Sequence, residues 1–429
     1  MKISNPFKNL LKKSFIMLAM KCIGALISFL LTAMITRELG AEESGSYFFI
    51  ISTVLFVCSV TSLGFNNAVI KLGSLEDKTK KYCRLLGDMT LAVLFSSFVS
   101  IVFIYLILLL SPLNSHDILN NYFSILALLI LPFSLCQIYS GFFISKSNVV
   151  LAAIYLNIGY QLILLCLILM STDFTLNLIF EYLVSSFYSL IFIFFVVLKL
   201  KYGHFMIFDF KNTILRIKEI FKLSSPMMLS QWVSQLNNFS GLFLISAFAS
   251  ASDISYYSVS MRVAVLLSFF SAALSKVAAR NFATLFEQGK IKELKSLVAF
   301  SNRFLFATAL PFLLCIIIFG NYILSFFGSE FQEAYTILII LSAGQFISAM
   351  TGTVYNLLQM TGNERALTKS ISISAFFSMC VGCILVPIYG VIGGALMTFV
   401  SLLLNSVVAC VVANRSLNIN PMNLFSTDK

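Results

Sequence analysis

Apolar runs of membrane-spanning length recur twelve times along this chain. They lie at about 14–36, 46–65, 88–110, 120–143, 149–170, 177–198, 224–247, 254–281, 297–319, 333–356, 367–388 and 391–413. A bilayer core is ~30 Å thick and a helix rises ~1.5 Å per residue, so ~20 apolar residues cross it. Lipid offers no water to an unpaired backbone amide, and separate apolar runs of this length therefore fold as helices. Only 11% of the residues are charged, against ~25% in an average soluble domain. The expected fold class is an all-α polytopic membrane protein with twelve transmembrane helices. The first run is too long for a signal-peptide core and has no small-residue cleavage site, so it reads as a retained helix.

The net charge of +11 would suit a nucleic-acid binder, but its distribution points to membrane orientation. With the segments between runs numbered alternately inside and outside, starting inside, every Lys and Arg except Lys21, Arg37 and Arg262 falls inside. The outside segments carry Glu38, Glu42, Glu43, Asp117, Asp173, Asp253, Glu330 and Glu333. This positive-inside pattern places both termini in the cytoplasm. It also gives no nucleic-acid partner; the expected surroundings are membrane lipids.

The two halves of the chain resemble each other. Shifted by 210 residues, ITRELGAEESGSYFF (35–49) falls on ISAFASASDISYYSV (245–259). Both are outside turns joining the first two helices of a half. Two six-helix lobes follow, related by a pseudo-two-fold along the membrane normal, with a substrate path between them. The expected organisation is an N-lobe over 1–198, a cytoplasmic linker over 199–223, a C-lobe over 224–413 and a cytoplasmic tail over 414–429. Within the linker, Ile214, Ile217, Ile220 and Phe221 have helical spacing, which predicts an amphipathic helix on the inner leaflet. Pro132, Pro226, Pro311 and Pro387 fall in or at the ends of spans, where they kink helices. Gly390, Gly393 and Gly394 offer a small face for close packing where the last helix starts.

Charges inside a span cost ~2.5–3.5 kcal/mol each on insertion scales, so they mark candidate sites. Lys21 lies in the first span, where it either snorkels to the inner surface or faces a cavity. Arg262 lies in the eighth span on a partly polar stripe with Ser255 and Ser258. Arg37 ends the first span among Glu38, Glu42 and Glu43. The seventh span is unusually polar: Gln231, Gln235 and Asn238 share one helical face, and the repeat sets Gln231 opposite Lys21. These side chains either line a hydrated cavity or bond between helices. Asp88 and Glu181 are the acids near span ends and the candidates for a coupling ion. There is no phosphate-binding G-x-x-x-x-G-K-[ST], no nucleophilic triad and no metal-ligand cluster; neither cofactor nor metal is expected. Cys380 and Cys383 form a lone C-x-x-C read as helix packing.

An ordered set of motifs carries a family resemblance: R-x-L-G-x-x-x-x-G-x-Y from Arg37 to Tyr47, Gly64-Phe65 with Asn66-Asn67-Ala68, Leu223-Ser224-Ser225-Pro226, Asp253 to Arg262, Leu358 to Asn363, and Pro387 to Leu396. The chain resembles Wzx-type polysaccharide flippases of the multidrug/oligosaccharidyl-lipid/polysaccharide exporter superfamily, whose fold is MATE-like. The resemblance implies a non-enzymatic flippase in a bacterial inner membrane. It implies transfer of undecaprenyl-diphosphate-linked O-antigen or capsule repeat units to the outer leaflet, by alternating access coupled to H+ or Na+. Polymerase and chain-length proteins of the same lipopolysaccharide-type pathway are implied partners. Lys21 and Arg262 would share the diphosphate, and Arg37, Gln231, Gln235 and Asn238 are further candidates to line the cavity for the diphosphate and sugar, with Arg37 equally open to neutralisation by Glu38, Glu42 and Glu43. The chain departs from many relatives at Asn237-Asn238, where they carry an acid. The alternatives are a multidrug antiporter, which would want carboxylates rather than Lys21 in the first helix, and a peptidoglycan-precursor flippase. The short outside loops argue against a polymerase.

Overall fold

The structure, a computed structural model, describes residues 5–66, 68–70, 79–110, 117–146, 148–171, 173–202 and 213–417. Linker residues 203–212 and the tail beyond Leu417 lie outside the described residues. The described chain is almost wholly helical. The first helix, Asn5–Thr61, is bent at Gly40 into α1 (5–39) and α2 (41–61). Then follow α3 Thr79–Leu110, α4 Phe123–Ser145, α5 (149–170, with a π-turn at Ile154–Ile158) and α6 Leu176–Tyr202. Next come α7 Thr213–Phe248, α8 (Ala251–Val265 continuing as Ser268–Glu287) and α9 Ile291–Ser325. The chain ends in α10 Tyr335–Met360, α11 Glu364–Tyr389 and α12 Val391–Leu417.

Eight segments among the described residues are long and apolar enough to cross a membrane, and one of them, Ala19–Thr61, comprises both α1 and α2. The helices that fall short are α5, α7 and α8. Each has a physical reason: α5 is interrupted by its π-turn, α7 is rich in amides and hydroxyls, and α8 carries Arg262 and breaks after Val265. On α3, Phe95, Phe98, Val102, Phe103 and Leu106 are exposed. A continuous apolar surface of this kind is suited to hydrocarbon and not to water. This is a multi-pass membrane protein.

The chain divides into two compact units within α7. One holds 1–39 and 46–235, the other 40–45 and 236–429. In the first unit α4 is the central helix: most of its apolar span is buried, whereas little of that of α3 is. Tyr139 of α4 stacks on Phe194 of α6 with ring centroids 3.6 Å apart, and Phe142, Phe143 and Tyr155 surround the pair. In the second unit the equivalent helix of the repeat, α10, is the buried one. It packs with α8, α9 and α12. Val354, Leu358, Ala409 and Ala413 fill one side, and Leu357 meets Phe282, Leu294 and Val298 on the other.

Two glycines of the Arg37–Tyr47 motif have separate structural reasons. Gly40 has φ 73° and ψ −178°, a conformation essentially restricted to glycine. It bends the chain between α1 and α2. Gly45 lies so close to the backbone carbonyl of Ala251 that a Cβ would overlap it. The six residues 40–45 belong to the second unit through this approach, through Glu330 Oε1 accepting from Ala41 N (2.7 Å), and through the Ser44–Ser255 hydroxyl pair (2.7 Å).

Residues 213–223, expected as a separate surface helix, are the first three turns of α7 itself. Ile220 and Ser224 are buried, whereas Ile214 (81% exposed) and Phe221 point outward. The apolar stripe read from the sequence is therefore split, with Ile220 packed inward and Ile214 and Phe221 left on the surface. The rotation is set by an ion pair: Arg216 Nε and Nη2 donate to the fully buried carboxylate of Asp88 on α3 at 2.6 and 3.0 Å, and Thr213 Oγ1 donates to it at 3.0 Å. A two-pronged guanidinium–carboxylate contact fixes orientation as well as distance.

Candidate functional site

The polar face of α7 is divided between the two units. In the first unit, Gln231, Ser234 and Gln235 of α7 meet Ser59 of α2 and Gln137 of α4 around a pocket of about 220 Å³. Local sequence builds it. Helix spacing puts Gln231 and Gln235 one turn apart on one face. α2 ends in a tight turn where Leu63 and Gly64 both adopt positive φ. The close approach of Gly64 to Ser224 O and Met228 seats α7 against this turn. Trp232, next to Gln231, donates its indole N–H to the Ser59 carbonyl at 3.1 Å, while the Ser59 hydroxyl donates to Phe56 O at 2.6 Å.

The lining is three primary amides and two hydroxyls, without a formal charge. Each of these groups both donates and accepts hydrogen bonds. The arrangement suits a polyhydroxylated neutral surface or ordered water. It offers no counter-charge to an ion.

In the second unit one polar residue of α7 bonds to a neighbouring helix, and further hydroxyl and amide bonds join the other helices. Asn237 Oδ1 accepts from Ser401 of α12 at 2.8 Å. Tyr257 of α8 and Thr398 of α12 share a hydroxyl hydrogen bond, also at 2.8 Å. Asn302 and Thr353 join α9 to α10 at 2.6 Å. Asn238, which shares a helical face with Gln231 and Gln235, is exposed and belongs to this unit. The helix periodicity is continuous, but the packing environments it enters are not.

The candidate cations are on α1 in the first unit and on α8 in the second. Lys21 on α1 is exposed beside exposed Cys22 and Ile23, and Arg37 at the end of α1 is exposed. Arg262 on α8 is half-buried. Of the acids, Asp88 is engaged by Arg216 and Thr213, whereas Glu181 on α6 is exposed. No group of three or more His, Cys, Asp or Glu side chains among the described residues has the geometry to hold a metal. Cys380 and Cys383 are free thiols exposed on α11.

Ser59 and Gln137 escaped the sequence reading because each is one of several small or polar residues scattered through an apolar run, with no spacing that singles it out. Only packing puts them beside α7. Arg216 escaped because its setting read as a basic linker. The spacing of Thr213, Ile220 and Ser224 carried a signal for a packed helix face.

Long helices with lipid-suited outer faces make the chain a polytopic helical membrane protein, and the first unit holds an uncharged polar pocket. The family model for polysaccharide biosynthesis proteins matches residues 10–286, and the chain belongs to that family. A relative from Haloferax volcanii, described as a probable low-salt glycan biosynthesis flippase, Agl15, is 22% identical over 200 residues. That match covers 46% of this chain and 42% of the relative, so the chain spans under half the length of the curated relative it matches. Among solved structures, the lipid II flippase MurJ in an inward closed conformation superposes with a TM-score of 0.77 at 16% identity, covering 93% of this chain and 87% of that one. The MATE multidrug transporter DinF-BH superposes with a TM-score of 0.63 at 14% identity, covering 98% and 97%. At such identities the likeness establishes the fold.

Proposed function

We propose that this protein is a flippase of a bacterial inner membrane. It carries undecaprenyl-diphosphate-linked oligosaccharide repeat units, of O-antigen or capsule type, from the inner to the outer leaflet by alternating access. The observation that carries the reading is the uncharged amide and hydroxyl pocket inside an otherwise lipid-suited helical bundle of the polysaccharide biosynthesis family. A cargo with a polar sugar head and a long lipid tail needs both surfaces at once. On the positive-inside orientation the pocket lies toward the cytoplasmic ends of α2, α4 and α7, where a cargo assembled in the cytoplasm enters. Lys21, Arg37 and Arg262 serve the diphosphate; arginine forks suit phosphate oxygens. Uphill or directional transfer draws on H+ or Na+, with Glu181 and Asp88 as its candidate carriers. The protein performs no bond-making chemistry of its own.

A second reading, a flippase for the peptidoglycan precursor, is favoured by the TM-score of 0.77 to the lipid II flippase. One experiment separates the two. Deletion of the gene, followed by leaflet-resolved analysis of lipid-linked saccharides, is expected to trap repeat units on the cytoplasmic side while lipid II turns over normally. Trapped lipid II supports the second reading. Normal distribution of both lipids refutes both.

A further inference from the structure

We infer that the α2–α4–α7 pocket is a subsite for a single uncharged sugar residue, and that it excludes acidic sugars. The inference rests on the flippase reading for its cargo, but its chemistry is that of the pocket alone. Gln137, Gln231 and Gln235 each present an N–H donor pair and a carbonyl acceptor, and Ser59 and Ser234 each present a hydroxyl. Neighbouring hydroxyls of a pyranose ring also donate and accept and so complement these amides and the Ser234 hydroxyl, while Ser59, whose proton goes to Phe56 O, can only accept. A carboxylate brought into the same pocket would give up part of its hydration and meet no cation among the five lining residues. An unpaired buried charge is far costlier than a neutral group with its hydrogen bonds made.

The diphosphate is excluded from this pocket by the same reasoning, since none of its five lining residues is Lys or Arg. Size limits the ligand further. At about 220 Å³ the pocket is smaller than the ~300–1,000 Å³ that enclose drug-sized ligands. It therefore takes one ring and leaves the rest of an oligosaccharide outside. The lining is also held in place: Ser59 is tied through both its hydroxyl and its carbonyl, the latter by Trp232. A pre-formed neutral site of this kind acts as a gate on composition, because the residue that enters it must lack a charge.

The chain supplies its own reporter. Trp232 is the single tryptophan, and its indole bonds to a residue of the pocket wall. The protein in lipid nanodiscs is titrated with undecaprenyl diphosphate bearing one N-acetylglucosamine, the same lipid bearing one glucuronic acid, and the lipid without sugar. Trp232 emission is read, together with protection from maleimide of a Ser234→Cys thiol placed in a background whose native cysteines are replaced by Ser or Ala. The neutral glycolipid is expected to shift the emission saturably and protect the thiol, with half-saturation at least tenfold lower than for either other lipid. Gln137→Leu should weaken that response about tenfold while leaving the emission of the empty protein unchanged. An equal response to all three lipids, or no response in either readout, overturns the inference. Translocation of the neutral glycolipid in proteoliposomes is scored in parallel. Transfer that proceeds in the parent and in Gln137→Leu without a pocket response sinks the subsite and leaves the flippase reading. Pocket binding without transfer sinks the flippase reading and leaves the subsite.

Discussion

Replacing Arg216 by Met should destabilise the first unit more than any other single polar substitution at the base of α7. The Asp88 carboxylate is fully buried and accepts three hydrogen bonds, two from Arg216 and one from Thr213. Arg216→Met leaves that charge with the threonine alone. Breaking a buried pair from one side costs ~3–5 kcal/mol, because the remaining ion stays desolvated. The Arg216 side chain is 26% exposed, so water reaches part of the site and the lower end, ~3 kcal/mol, applies. For a folding unit of this size ~1 kcal/mol corresponds to ~2–4 °C in Tm, which gives a drop of ~6–12 °C. Thermal unfolding in nanodiscs, followed by Trp232 emission, measures it, since Trp232 lies on the same helix. Asp88→Asn combined with Arg216→Met removes the stranded charge and should recover most of the loss, because an apolar replacement of a whole buried pair is often near neutral. Thr213→Val removes one hydrogen bond to a charged acceptor and should fall between parent and Arg216→Met. If Arg216→Met melts within ~2 °C of the parent, or the double variant melts no higher than the single one, the ion pair does not hold α7 to α3.

Gly40→Ala forces a side chain into a glycine-only conformation and should cost ~1–3 kcal/mol; a Tm equal to the parent's refutes that role for the bend. Gly45→Val has no space beside Ala251 and should lower Tm and weaken the Ser44–Ser255 contact; retained stability would mean that the close approach is dispensable. Lys21→Ala and Arg262→Ala should each stop surface polysaccharide export at normal membrane levels of protein, and unimpaired export from both removes them from the diphosphate site. A reporter active only in the cytoplasm, fused after Lys429, should be active, and a signal only from the periplasmic side overturns the orientation.

The sequence determined the elements of this protein. Spanning length and backbone chemistry leave an apolar run in lipid no choice but a helix, so the all-α polytopic class was legible from one-dimensional information alone. The motif Arg37–Tyr47 was equally legible as a marker, though its two glycines proved to serve different ends: one bends the chain and the other admits a neighbouring backbone. Tertiary structure decided which face of each helix is used. The stripe Ile214, Ile217, Ile220 and Phe221 read as the lipid-facing side of a surface helix, yet Ile220 turns inward with Ser224 beside the Asp88–Arg216 pair while Ile214 and Phe221 stay exposed. Gln231, Gln235 and Asn238 share a face by periodicity, yet the first two line the pocket and Asn238 lies in the other unit. Ser59 and Gln137 are not set apart from the other polar residues of their runs, and both are distant in sequence from α7. A helix repeats its own period faithfully but carries no information about what packs against it, and the pocket exists only where three such helices meet.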